Sequence, residues 1–120
     1  MFTITKEFHF SASHVLDGLR EGHQCGRLHG HNYIVTVELS AEALDPATGF
    51  VVDYGELAPL KQLIDDRLDH RHLNDVLWTN PTAELLAKWL FDWCQANEPT
   101  WPVSGIGVSE TPKTWAWFRP

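Results

Sequence analysis

Cysteine is scarce in this chain: Cys25 and Cys94 are the only two among 120 residues. So low a count excludes a disulfide framework and fits a reducing, cytoplasmic compartment. No apolar run approaches the roughly 20 residues that a membrane-spanning helix needs. Met1 leads directly into a β-patterned segment, without the basic start and apolar core of a signal peptide. The expectation is a soluble, cytoplasmic protein with no membrane partner. Positive charge is scarce too. Nine lysines and arginines face 16 aspartates and glutamates, for a formal net charge of −7. A general nucleic-acid binder shows a basic patch or stripe, so nucleic acid is not an expected partner. A small anionic substrate remains compatible, because the local field of a pocket can oppose the net charge. There is no repeat, low-complexity segment or linker, and the length fits one domain over 1–120. A chain of this size buries a real core but is only marginally stable alone. Self-association would help it, and six tryptophans suit an aromatic-rich interface.

What the chain does have is histidine in a telling place. Cys25-Gly26-Arg27-Leu28-His29-Gly30-His31-Asn32-Tyr33 runs into Ile34-Val35-Thr36-Val37-Glu38-Leu39. Side chains of a strand alternate faces, so His29 and His31 share the face of Tyr33, Val35, Val37 and Leu39. Residues 2–14 alternate as well. Phe2, Ile4, Phe8, Phe10, Ala12 and His14 lie on one side, and His9 lies with the polar residues on the other, as a solvated surface residue. If the two strands pair antiparallel, His14 meets His29 and His31 on one buried surface. Such residues are either core histidines bonded to carbonyls or the ligands of a metal. An unpaired buried polar group costs about 1–3 kcal/mol, and zinc accepts nitrogen and sulfur donors. The strand-spaced pair with a third histidine favours the metal.

The rest of the chain follows in order. Residues 15–28 form a connection too long for a tight hairpin, broken by Gly18, Gly22 and Gly26 and carrying His23 and Cys25. Leu57, Leu60, Leu63, Ile64 and Leu68 predict a helix over roughly 56–68. Pro59 restricts its regular part to a start near Gly55, which leaves Asp53 to a structural purpose other than capping it. Asn80 as N-cap and Pro81 at the first position predict a second helix, with Leu86, Leu90 and Trp93 as its stripe and Cys94 as a small buried residue. Residues 103–110 read as a strand and 114–118 as a last one. The order ββααββ implies an α+β fold, an antiparallel four-stranded sheet with two helices on one face.

Three histidines leave one open position on a zinc ion, which then acidifies a bound hydroxyl or polarises a carbonyl. Cys25 decides the class of site. As a fourth ligand it makes the site structural; left free, it is a base or nucleophile beside a Lewis acid. Asp69-His70 is a candidate acid–base pair, against the bland reading of a solvated helix end. Glu110 ends an apolar strand face, either because the strand reaches water there or because a site needs it.

Taken together, Phe10-Ser11-Ala12-Ser13-His14, Cys25-x3-His29-Gly30-His31-Asn32-Tyr33, Asp69-His70-x2-Leu73-Asn74, Asn80-Pro81-Thr82-Ala83-Glu84 and Glu110-Thr111 resemble, in order and spacing, the 6-pyruvoyltetrahydropterin synthase family. The resemblance covers nearly the whole chain. It implies a tunnelling fold, in which subunits join their sheets into a barrel with active sites at the interfaces. The assembly it implies is a homo-oligomer built from trimers, commonly a hexamer. It implies Zn2+ on His14, His29 and His31, and a catalytic, proton-abstracting Cys25. Asp69 and His70 become a second catalytic pair reaching the site from a neighbouring subunit. Glu110 becomes the carboxylate that binds the guanidine-like edge of a pterin substrate. The three-residue spacer between Cys25 and His29 resembles the bacterial branch that makes 6-carboxy-5,6,7,8-tetrahydropterin for queuosine and 7-deazapurine synthesis. That branch is a carbon–carbon lyase acting on 7,8-dihydroneopterin triphosphate. The alternatives are the pyruvoyl-forming sibling, a non-catalytic protein with structural zinc, and a zinc hydrolase. Arg27 and Lys113 are candidates for the triphosphate. His23 and His72 receive no role.

Overall fold

The computed structural model describes residues 1–120. Strand β1 spans Phe2–His14 and β2 spans His29–Ala41. They pair antiparallel over their whole length, Phe2 opposite Ala41 and His14 opposite His29. This is the register that the two alternating patterns require, because a slip of one residue would turn every apolar side chain to the wrong face. Phe8, Phe10, Ala12 and His14 of β1 and Tyr33, Val35, Val37 and Leu39 of β2 are buried.

Helix α1 is Ala58–Arg67, entered through a 3-10 turn at Tyr54–Leu57. Asp53 Oδ1 accepts the Gly55 N–H at 2.9 Å, so this residue caps the turn rather than the helix. The expected stripe of Leu57, Leu60, Leu63, Ile64 and Leu68 is buried as a set. Just beyond α1 lies β3, Arg71–His72, which pairs parallel with Ala12 and Ser13 of β1. Helix α2 is Ala83–Asn97, β4 is Val103–Ser109 and β5 is Ala116–Phe118. The sheet order is β3-β1-β2-β4-β5. One core cluster joins the sheet residues to Leu60 and Ile64 of α1 and to Leu86, Leu90, Phe91 and Cys94 of α2.

The α+β architecture is as expected, with one correction: the sheet has five strands, not four. Two residues are too few to show an alternating pattern, so β3 could not be read from its sequence. It exists because β1 offers it an edge. The second helix also starts later than Asn80. Its cap is Thr82, whose Oγ1 accepts the Leu85 N–H at 3.1 Å. Asn80 is engaged elsewhere, with both its amide groups on the backbone of Asp17.

Candidate functional site

Antiparallel pairing brings the last residue of β1 and the first residues of β2 to one end of the sheet. One ring nitrogen from each of His14, His29 and His31 lies within 4.8 Å of the others. Gly30 separates the two β2 histidines, and a Cβ there would stand 3.3 Å from the Ala12 carbonyl, so a larger residue would press on β1.

Hydrogen bonds fix how the rings present themselves. His14 Nδ1 is 2.8 Å from the Pro81 carbonyl, and His29 Nδ1 is 2.6 Å from the Arg27 carbonyl. A carbonyl only accepts, so both Nδ1 atoms carry the proton. In a neutral imidazole the other nitrogen is then a bare lone pair. These two Nε2 atoms face each other at 2.8 Å. Two lone pairs at that distance repel unless one ring is charged or a cation lies between them. Protonation of His14 and of His31 is disfavoured: burial holds His14 below the usual histidine range, and burial with the neighbouring imidazoles does the same for His31. His14 is 0% exposed, and His31 Nε2 is buried without a hydrogen-bond partner.

The residues therefore fit a metal ion. Ligand histidines that give their second N–H to a carbonyl are the usual outer support of such a site. Donors at about 2.0–2.1 Å from a tetrahedral ion lie about 3.3 Å apart, so an ion would need the His14–His29 pair to open by about 0.5 Å.

Glu110, the first residue past β4, reaches the same place. Its Oε2 lies 3.4 Å from His14 Nε2 and 3.2 Å from His31 Nε2. These are ion-pair distances, but the His31 contact lacks hydrogen-bond geometry. Burial, aided by the Glu84 carboxylate, raises the Glu110 pKa above the ordinary carboxylate value. Of the two readings of Glu110, the strand end that merely reaches water is the poorer description.

Asp69 and His70 do touch through their side chains. Asp69 Oδ1 is 2.9 Å from His70 Nδ1 and accepts the Ser11 N–H at 3.0 Å. That backbone bond is the first cause, and His70 a further one, that hold the Asp69 carboxyl below its usual range. His70 also donates its own N–H to the Ser11 carbonyl. It has φ of 58°, a left-handed conformation that costs a non-glycine residue about 1 kcal/mol or more. Its side chain is 83% exposed. A polar cleft of about 470 Å³ is lined by His31 and Asn32 on one side and by His70, Arg71 and His72 on the other. His72 Nδ1 is 2.9 Å from Ser13 Oγ.

Cys25 sits apart from this cluster. It lies on a 3-10 turn at Gln24–Gly26, its N–H given to His23 Nδ1 and its carbonyl accepting from Leu16. Its half-buried thiol is not among the clustered donor atoms, which come from His14, His29 and His31.

Several contributors lay beyond sequence reasoning. Asn74 accepts the Val15 N–H and donates to the Val15 carbonyl, both at 2.9 Å, while Asn80 does the same for Asp17. Two asparagines thus replace sheet pairing for the segment leaving His14. Both belong to recognised motifs, but asparagine before proline also reads as a helix cap. Tyr33 stacks on Phe10 with centroids 4.8 Å apart, and its hydroxyl oxygen is 3.3 Å from His14 Nδ1. Burial raises the Tyr33 pKa, so the phenol stays protonated.

The family model for 6-pyruvoyl tetrahydropterin synthase matches residues 3–120. The 6-carboxy-5,6,7,8-tetrahydropterin synthase of Bacillus subtilis (strain 168) is 33% identical over 132 residues, which cover 99% of this chain and 86% of that protein. The 6-pyruvoyl tetrahydrobiopterin synthase of Homo sapiens is 32% identical over 123 residues, covering 90% and 84%. The structure of Caenorhabditis elegans 6-pyruvoyl tetrahydropterin synthase superposes with a TM-score of 0.85 at 28% identity, covering 99% of this chain and 95% of that one.

Proposed function

The chain belongs to the 6-pyruvoyl tetrahydropterin synthase family, and from that premise we propose that it is a metal-dependent 6-carboxy-5,6,7,8-tetrahydropterin synthase. It takes 7,8-dihydroneopterin triphosphate to 6-carboxytetrahydropterin, acetaldehyde and triphosphate, within queuosine or 7-deazapurine synthesis. The single observation that carries the reading is the histidine cluster, with two Nδ1–H groups committed to carbonyls and two lone pairs left facing each other. Relatives named for the carboxytetrahydropterin product, in Bacillus subtilis and in Haemophilus influenzae, support the choice of branch.

In this reading His14, His29 and His31 hold Zn2+, which when bound acidifies the hydroxyl-bearing carbons of the pterin side chain. The Cys25 thiolate takes a proton from that side chain, from a loop held by Leu16 and His23. Asp69, fixed by Ser11, accepts from His70 Nδ1–H and leaves Nε2 to receive or return a proton. The exposure of His70 supports an assembly in which that pair serves a neighbouring subunit's site, within a homo-oligomer built from trimers. The Glu110 carboxylate accepts the two parallel N–H bonds of the pterin's guanidine-like edge.

The test is product analysis of the zinc-loaded protein given 7,8-dihydroneopterin triphosphate. Acetaldehyde together with a carboxylated tetrahydropterin is the expected result. The human relative's comparable identity makes the pyruvoyl reaction the second reading. A pyruvoyl product without acetaldehyde would move the chain to that branch.

A further inference from the structure

A residue that only holds the edge of a pterin has no need to approach imidazole nitrogens, yet Glu110 does. Its Oε2 is 3.4 Å from His14 Nε2 and 3.2 Å from His31 Nε2. His14 Nε2 is a lone pair, because the proton of that ring goes to Pro81. His31 Nε2 has no hydrogen-bond partner although it is buried. A carboxylate oxygen facing such atoms is unfavourable unless a shared proton or a metal cation lies among them. Both distances match the about 3.3 Å that separates donors on a tetrahedral ion.

We infer that Glu110 is the fourth donor to the ion held by His14, His29 and His31 while no pterin is bound, and that it leaves the ion when a pterin arrives. The site is then closed at rest by the chain's own carboxylate and opened by the substrate. This rests on the reading of the histidines as a metal site. Release is open to the side chain. Glu110 lies just past the end of β4, at Ser109, it is 24% exposed, and the Glu84 carboxylate repels it. The same carboxylate then serves two partners in turn, the cation and the N–H groups of the pterin, and competition between them couples substrate binding to an open coordination position.

The experiment loads the full-length protein with Co2+ and reads its visible absorption, which reports coordination number and donor set. Wild-type protein is expected to show the intense bands of a four-coordinate ion. Glu110→Gln is expected to change those bands and to weaken Co2+ binding at least about tenfold in chelator competition. Glu110→Asp keeps the charge but loses reach. It should behave like Glu110→Gln, which separates ligation from a merely nearby negative charge. Wild-type protein alone supplies a second measurement, since added 7,8-dihydroneopterin should shift the bands. Bands that ignore the pterin would overturn the release of Glu110. Wild-type bands in Glu110→Gln, with affinity within about twofold, would overturn its ligation. A His29→Ala protein that still binds Co2+ as wild type does would be a different failure, that of the histidine site itself.

Discussion

The two ends of the sheet hold polar residues in opposite ways. At the end far from the histidines, Glu38 accepts two bonds from Arg119, at 3.2 and 3.0 Å, and a third from Ser104. Ser104 meets Ser40, and Ser40 meets Thr3. At the histidine end, lone pairs face each other and a buried ring nitrogen has no hydrogen-bond partner. A satisfied polar network is complete without a guest. An unsatisfied one, buried at a cost of about 1–3 kcal/mol per orphan group, is completed by one. The comparison thus separates polar residues that hold the fold from polar residues that await a ligand.

The sharpest way to break this contrast is Cys25→Ala. Turnover should fall by about 10²–10⁴-fold, the usual weight of a proton-transfer group, with zinc content unchanged by metal analysis. Loss of zinc would make Cys25 a ligand and the site a closed one. A smaller effect is expected between the two ends, at Asn74→Ala. Removing both bonds to Val15 should cost about 2 kcal/mol in denaturant unfolding and should weaken metal binding, because His14 immediately precedes the released segment. Stability loss with unaltered metal affinity would show that Asn74 holds only the loop.

The smallest effect is the pH response of the metal-free protein. His14 and His31 have lowered values in the folded state. Their contribution is therefore full above the ordinary 6.5 and is lost as the pH falls below it. Glu110 is raised and works the other way, partly offsetting that loss at lower pH. Glu38 is lowered, chiefly by its bond to Arg119, so the far end weakens only as the pH falls from 4.5. Thermal unfolding of metal-free protein should show the midpoint falling first below pH 6.5, and His31→Gln should remove part of that first fall. A midpoint flat down to the carboxylate range would contradict it.

Much of the fold was legible because burial leaves a period in the sequence. The alternation in 2–14 and 29–39 and the leucine stripe of 57–68 each name the face that meets the core; those faces are buried from Phe8 to His14, from Tyr33 to Leu39 and along the stripe, while Phe2 at the start of β1 is exposed. β3 carries no period, since Arg71–His72 is only two residues long. It follows from the edge that β1 offers and from the left-handed turn at His70. Asn80 reads as a helix cap because asparagine before proline has that preference. Tertiary contact with Asp17 overrode it.

At the candidate site, the sequence alone determined which residues could act together. Strand spacing puts His29 and His31 on one face, and antiparallel pairing adds His14, because side-chain direction in a strand is set by parity. Only the tertiary structure decided what those side chains face. That Pro81 and Arg27 take the Nδ1 protons, that Glu110 comes within 3.2 Å of His31, and that Asn74 fastens the segment after His14 are long-range or carbonyl contacts. Backbone carbonyls are the same at every position, and contacts between distant segments have no period, so neither leaves a mark in the order of the residues.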